Sequence, residues 1–259
     1  MPGLSGQAAR MDGEKQPGPT PWTEEERRDN ERAILAHAVP FVAWVFLMGL
    51  LGDPAGWKYA VRAGASLGLF LWLKPWKHAA YAPLRLRNLP WAVVIGVAVF
   101  VIWVIGEAPW VEANLPWLHR AYLFIALLPP WKITETEPNL VYAPDVAGWW
   151  FTSTRMLGSA FVISFVEEFF WRGWLYRWLQ ARRWRHLDPG IWSASTFLWV
   201  ALFFGLQHRE WVAGVICGLL YGWLAIVRRD VWAAGIAHAI TNLLLALYVI
   251  VAGAYQFWV

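Results

Sequence analysis

The sequence is poor in charge: Asp, Glu, Lys and Arg make up 15% of its 259 residues, where an ordinary soluble domain carries about a quarter. Cysteine is nearly absent. The single Cys217 lies in an apolar run, which excludes a disulfide framework and leaves no redox clue to the compartment. A glycine-rich phosphate loop, paired zinc-type cysteines, a His-Glu-x-x-His helix and a Gly-x-Ser-x-Gly elbow are all missing. Those absences leave no support for P-loop chemistry, a cysteine zinc site or a serine nucleophile. No internal repeat and no second soluble domain is legible. The net charge is only +4, and the basic residues stand beside apolar stretches, so nucleic acid is not an expected partner.

What the chain has instead is apolar length. Hydrophobic residues reach 58% and mean hydropathy is +0.38. A bilayer core about 30 Å thick needs about 20 apolar residues per helix, with about 17 as the lower limit. Seven stretches are predicted to span: Ala33–Leu51, Trp57–Leu73, Leu89–Ile105, Gly148–Leu179, Ile191–Gln207, Trp211–Val227 and Val231–Ala254. Trp117–Leu128 is a further apolar patch, either re-entrant, interfacial or half of an eighth crossing. Many of the 22 tryptophans, Trp57, Trp72, Trp76, Trp149, Trp150 and Trp178 among them, fall at span ends, as in an aromatic belt. The expected fold class is therefore all-α, a polytopic transmembrane helical bundle of seven spans, or eight if that patch crosses.

The expected organisation has three parts: a disordered tail at 1–32, N-terminal transmembrane helices with an outer loop at 33–147, and a helical bundle carrying the chemistry at 148–259. The end of the tail carries a helix-start signal from Pro21 to Arg32, with Thr23 placed to cap and Glu24, Glu25 and Glu26 following. Lys and Arg set the orientation. Arg27, Arg28 and Arg32, then Lys74, Lys77, Arg85 and Arg87, then Arg182, Arg183 and Arg185, and finally Arg228 and Arg229 all fall on one side. The loop between the third and fourth spans holds Glu107, Glu112, Glu135, Glu137 and Asp145 against Arg120 and Lys132. The amino terminus is expected in the cytoplasm and the carboxyl terminus outside.

Polar groups within apolar helices cost at least about 2.5 kcal/mol each at mid-span and usually face the bundle interior for a functional reason. The fourth stretch contains Glu167, Glu168 and Arg172. At 100° per residue Glu168 and Arg172 share a face and pair as i, i+4 neighbours. Glu167 points about 100° away from that pair, so it has no local cation and is free to face a cavity as a proton acceptor. The fifth stretch ends in Phe204-Gly205-Leu206-Gln207-His208, and the seventh holds His238 and Asn242 one turn apart. Two imidazoles, a carboxamide and a carboxylate can orient water, stabilise an oxyanion or bind a metal. Bland readings stand beside these. Glu168–Arg172 is equally a structural ion pair, and His208 taken alone reads as a helix-end histidine. Arg155 reads as a snorkelling anchor. His37, His78, His119 and His186 are given no role.

The ordered set resembles the signature of the CAAX-protease and bacteriocin-processing family, also called CPBP or Abi: Glu-Glu-x-x-x-Arg, Phe-x-x-x-His and His-x-x-x-Asn on successive membrane helices. Here those are Glu167, Glu168 and Arg172; Phe204 and His208; His238 and Asn242. The likeness covers roughly Gly148 to Ala254. The run Phe165 to Gly173 is also similar to bacterial CAAX-protease-related proteins associated with exosortase systems, which implies an inner-membrane location. The resemblance implies an intramembrane endopeptidase acting on a membrane-anchored, in some members prenylated, substrate amid membrane lipids. By it Glu167 would activate water, and Glu168 and Arg172 would fix the geometry. His208 and His238, with Asn242, would steady an oxyanion. Alternatively they would hold a divalent metal such as zinc, with Glu167 a further ligand.

Two other readings compete: a non-enzymatic scaffold or immunity protein with a structural polar cluster, and a proton-coupled transporter, for which no inverted repeat is visible. One geometric demand is sharp. At about 1.5 Å per residue from the cytoplasmic helix ends, Glu167 lies roughly 18 Å up, His208 roughly 25 Å and His238 roughly 10 Å. Convergence therefore needs tilted helices, displaced boundaries or a break near Gly205.

Overall fold

Thr23 opens the first helix, as its position before three glutamates suggests. Its hydroxyl accepts from the Glu26 N–H at 3.1 Å, and the Glu26 carboxylate accepts from the Thr23 N–H at 3.0 Å. That reciprocal box satisfies two backbone donors at the start of α1 (Glu24–Leu51). The computed structural model describes residues 21–128 and 138–258. Most of the expected tail, and Lys132, Glu135 and Glu137 of the expected outer loop, lie outside the described residues. Helix makes up 80% of the structure, and no strand occurs among the described residues.

Next come α2 (Gly56–Leu73), α3 (Leu89–Ile105), α4 (Pro109–Asn114) and α5 (Pro116–Ile125). Proline stands in the first turn of α3, α4 and α5, where its missing N–H costs nothing. A helix of ten residues such as α5 rises only about 15 Å, half the hydrocarbon thickness. That length suits a re-entrant or interfacial segment, or half of an eighth crossing, at Trp117–Leu128.

The next helix, α6, runs over 144–178 and is not the single regular span expected at Gly148–Leu179. It begins at Pro144, kinks at Gly148 with φ +74°, and continues as Pro144–Leu157, a π segment at Gly158–Ile163, an α segment at Ser164–Glu168, a second π segment at Phe169–Leu175, and Tyr176–Trp178. Wide turns of this kind gather at functional sites. The bundle closes with α7 (Ala194–Leu206), α8 (Trp211–Arg228) and α9 (Val231–Ala252).

All seven predicted stretches are helical, and among the described residues four helices are long and apolar enough to cross a membrane: α1, α3 with the turn before it, α8 and α9. The others fall short for visible reasons. α2 carries Lys58 and Arg62, α6 is interrupted, and α7 has 13 residues. Phe46, Trp72, Val94, Trp150, Leu198 and Val251 stand on exposed faces, as a lipid-facing surface requires.

Small residues let the helices close around the polar groups. On α8, Gly214 and Gly218 repeat at i, i+4. A Cβ at Gly218 would lie 2.9 Å from the Ala201 Cα, and one at Gly214 would lie 2.9 Å from the Gly205 Cα. This close backbone contact joins α7 to α8. α9 crosses α3 near Gly96, whose carbonyl accepts from the Thr241 hydroxyl at 2.8 Å, and Thr241 in turn accepts from Tyr221 at 2.7 Å.

Candidate active site

Glu168 is fully buried, and its Oε1 gathers two partners. Arg172 Nη1 donates at 2.8 Å across one helical turn, and His238 Nδ1 on α9 donates at 3.1 Å. The i, i+4 pairing expected from the sequence is present. Arg172 spends its other terminal nitrogen on the Gly218 carbonyl of α8 at 3.0 Å, and its guanidinium lies 4.3 Å from the centre of the Phe204 ring of α7. One arginine thus ties α6, α7 and α8 together, while Glu168 ties in α9. The His238 ring stacks on Tyr221, with centroids 5.0 Å apart and planes inclined by 22°. With Nδ1 committed to Glu168, the free nitrogen of His238 is Nε2.

Glu167 turns away from this cluster, as its angular offset predicts. It too is buried, and Gln207 Nε2 donates to its Oε2 at 3.3 Å. A neutral amide, not a cation, is its partner. His208 follows directly. The chain turns after α7, with the His208 N–H on the Gly205 carbonyl at 2.9 Å, and the ring donates Nδ1–H to the Phe204 carbonyl at 2.8 Å. Nε2 is again the nitrogen left over. Glu167, Gln207, His208, His238 and Asn242 all line one cavity of about 700 Å³.

The depth mismatch expected between the three helices is resolved without a break at Gly205, which is helical. α7 starts later than predicted and ends at Leu206, so His208 sits in a turn past the helix. Two π segments of α6 bracket the turn bearing both glutamates, and all three helices reach the same cavity.

Asn242 has a different environment from the histidines. Its amide donates to the Ser159 carbonyl at 2.9 Å and to Ser164 Oγ at 3.1 Å, while Ser164 Oγ donates to the same Ser159 carbonyl at 3.0 Å. Both contacts lie at the first π segment. Asn242 therefore braces the irregular backbone just before Glu167, and its amide oxygen is the atom left for the cavity.

A zinc bound by protein side chains ordinarily takes three or four nitrogen, sulfur or carboxylate donors. Among the described residues, no group of three or more His, Cys, Asp or Glu side chains is placed to hold a metal ion. Glu168 is already occupied by Arg172 and His238. The expected set of His208 and His238 with Glu167 and Asn242 does not fit a metal of this kind, and the chemistry below is derived without one.

Arg155 corrects one expectation. It does not snorkel outward. Its guanidinium lies 4.7 Å from the Tyr59 ring and 5.4 Å from the Tyr142 ring, on the cavity wall. His37, given no role, is buried and bonded to the Ala33 carbonyl and the Tyr81 hydroxyl, each at 2.6 Å, away from the cavity. Sequence reasoning missed Gln207, Tyr221, Ser159 and Ser164. Gln207 alone left a signal, as a polar side chain beside His208 at the end of an apolar helix.

Residues 148–244 match a family model described as Rce1-like, type II CAAX prenyl endopeptidase. That segment is similar to an Rce1-like domain, and the match covers less than half of the chain. The match holds every residue of the cluster above, from Glu167 to Asn242, and leaves α1 to α5 outside it. The family is one of proteases, and the apolar helices make this an integral membrane protein. Neither curated proteins nor solved structures give a significant match to the chain.

Proposed function

We propose that this protein is an intramembrane endopeptidase that hydrolyses a peptide bond in a membrane-anchored protein or peptide, with Glu167 as the base that activates water. The observation carrying this reading is the contrast between the adjacent glutamates. Glu168 holds both Arg172 and His238 on its Oε1, whereas Glu167 has only an amide partner and faces a cavity large enough for a peptide segment. The Rce1-like match supplies the reaction class, and a prenylated substrate is the finer form of the same reading.

In this mechanism a water held between Glu167 and His208 Nε2 attacks the scissile carbonyl carbon while its proton passes to Glu167. The carbonyl π bond becomes an oxyanion. His238 faces the same cavity, and Glu168 orients its ring, as a buried carboxylate orients the imidazole of a hydrolytic triad. Collapse of the tetrahedral intermediate breaks the C–N bond, and the proton on Glu167 leaves with the amine. Arg172, Gly218 and Asn242 position these groups without touching substrate. In the topology that goes with this reading, all seven helical stretches span, the amino terminus is cytoplasmic and the carboxyl terminus is outside.

The test is cleavage of a panel of membrane-anchored peptides, prenylated and unprenylated, by purified protein in lipid. Wild type is run beside Glu167→Gln, each with and without a chelator. Turnover that disappears in the folded variant is the expected result. Equal turnover by the two proteins would remove Glu167 from the chemistry, and loss on chelation would require a metal after all.

A further inference from the structure

The catalytic cluster occupies one part of the cavity, and the rest of its wall is basic. Lys58, Arg62, Arg155 and Arg209 all line it. Two of the four are accounted for. Arg209 reaches both Glu107 oxygens at 3.2 and 3.3 Å, and Lys58 donates to the Leu51 and Asp53 carbonyls at 2.7 and 2.9 Å. Arg62 and Arg155 have no carboxylate partner among the described residues. Each is instead packed on aromatic faces: Arg62 lies 4.6 Å from the Trp44 ring and 5.3 Å from Tyr59, and Arg155 lies 4.7 Å from that same Tyr59. The Nε of each is buried without a hydrogen-bond partner. Two unneutralised cations inside a membrane bundle are costly, and a bound anion would remove the cost.

Depth and surroundings say which anion. Exposed Trp57 marks the aromatic-belt end of α2, and exposed Trp149 and Trp150 mark that of α6. Arg62 is five residues along α2 from Trp57, and Arg155 is five along α6 from Trp150, so each lies about 7 Å below its own belt residue. Both guanidiniums reach the level just beneath the headgroups. The cavity wall also includes Val45 and Met48 of α1, both of which are exposed. Cations at phosphate depth in a cavity that also has exposed apolar wall residues match a phospholipid, whose phosphate and acyl chain pair the same two chemistries. We propose that Arg62 and Arg155 bind the phosphate of an anionic phospholipid that enters the cavity mouth from the adjoining leaflet.

Such a lipid would occupy the space leading to Glu167, so this site would set the lipid dependence of whatever reaches that carboxylate. The test needs no turnover and is therefore independent of the peptidase reading. Purified protein in detergent is titrated with dioleoylphosphatidylglycerol and with dioleoylphosphatidylcholine, and bound lipid is counted by native mass spectrometry. The anionic lipid should bind about 10-fold more tightly, the size of one charge-assisted hydrogen bond. Arg62→Gln and Arg155→Gln should each erase most of that preference, Glu167→Gln should keep it, and Arg87→Gln on the opposite side should keep it too. Arg62→Lys and Arg155→Lys retain charge and guard against misfolding; each should retain part of the preference. Equal binding of the two lipids, or a preference surviving in both Gln variants, would overturn the proposal. So would saturation of the site by a leucine tetrapeptide free acid that the anionic lipid fails to displace, because the anion would then be a peptide carboxylate.

Discussion

Replacing Arg172 by methionine removes the most concentrated set of contacts in the bundle while keeping much of the side-chain volume. Lost are the 2.8 Å bond to Glu168, the 3.0 Å bond to the Gly218 carbonyl and the cation over Phe204 at 4.3 Å. The damage lies less in those bonds than in what stays behind. Glu168 would remain fully buried with His238 as its one partner. Removing one member of a buried ion pair typically costs about 3–5 kcal/mol, whereas replacing both by apolar groups is often near neutral. Arg172→Met should therefore destabilise the protein by about 3–5 kcal/mol. Glu168→Met/Arg172→Met should recover most of this, leaving about 1–3 kcal/mol for the unmet His238 Nδ1 and Gly218 carbonyl. Reversible unfolding in mixed micelles, run as a double-mutant cycle, reads the coupling directly. A double variant no more stable than Arg172→Met would refute the argument, because the cost would then come from packing and not from a stranded carboxylate. The double variant should lack activity, since His238 loses the carboxylate that orients it.

Four further outcomes follow from the same geometry. Glu167→Gln should lower turnover by at least about 100-fold, the usual worth of a general base, with an unfolding midpoint close to wild type, because Gln207 can still donate to the new amide oxygen. Asn242→Ala should cost about 1–3 kcal/mol in unfolding measurements by removing its bonds to the Ser159 carbonyl and Ser164 Oγ together. Gly218→Val forces a Cβ to 2.9 Å from the Ala201 backbone, and should destabilise by about 1–3 kcal/mol or more. Glu210, in the turn before α8, has its carboxyl pushed up to about 7 by burial, with Arg209 pulling the other way. A carboxyl raised above its unfolded value binds its proton more tightly when folded, so its favourable contribution is full below about pH 4.5 and is lost as pH rises to about 7. Wild type should therefore lose up to about 3 kcal/mol of stability across that window relative to Glu210→Gln; parallel pH profiles for the two proteins would contradict it.

The helices themselves were readable because a bilayer imposes a length and an apolarity that few other environments demand. Thr23 announced the start of α1, and the i, i+4 spacing announced the Glu168–Arg172 pair, since both rest on contacts within one turn. The same local arithmetic separated Glu167 from Glu168 by angle and so assigned them different tasks. It misplaced Arg155, because which way a long side chain turns from a helix end depends on neighbours such as Tyr59 and Tyr142 that are distant in sequence. Donor type was visible in the sequence, whereas donor convergence was not.

The sequence by itself determined an all-helical membrane protein, the residues whose burial must be justified, and the pairing of those one turn apart, because these follow from hydropathy and helical period. Only the tertiary structure decided that His238 would meet Glu168 and that Gln207 would meet Glu167. It also decided that Asn242 would hold a π-helical backbone, and that two arginines would face the cavity without an acid. Those outcomes depend on how closely α3, α7, α8 and α9 approach at Gly96, Gly205, Gly214 and Gly218, and on two wide turns in α6. Contacts between helices have no period along the chain.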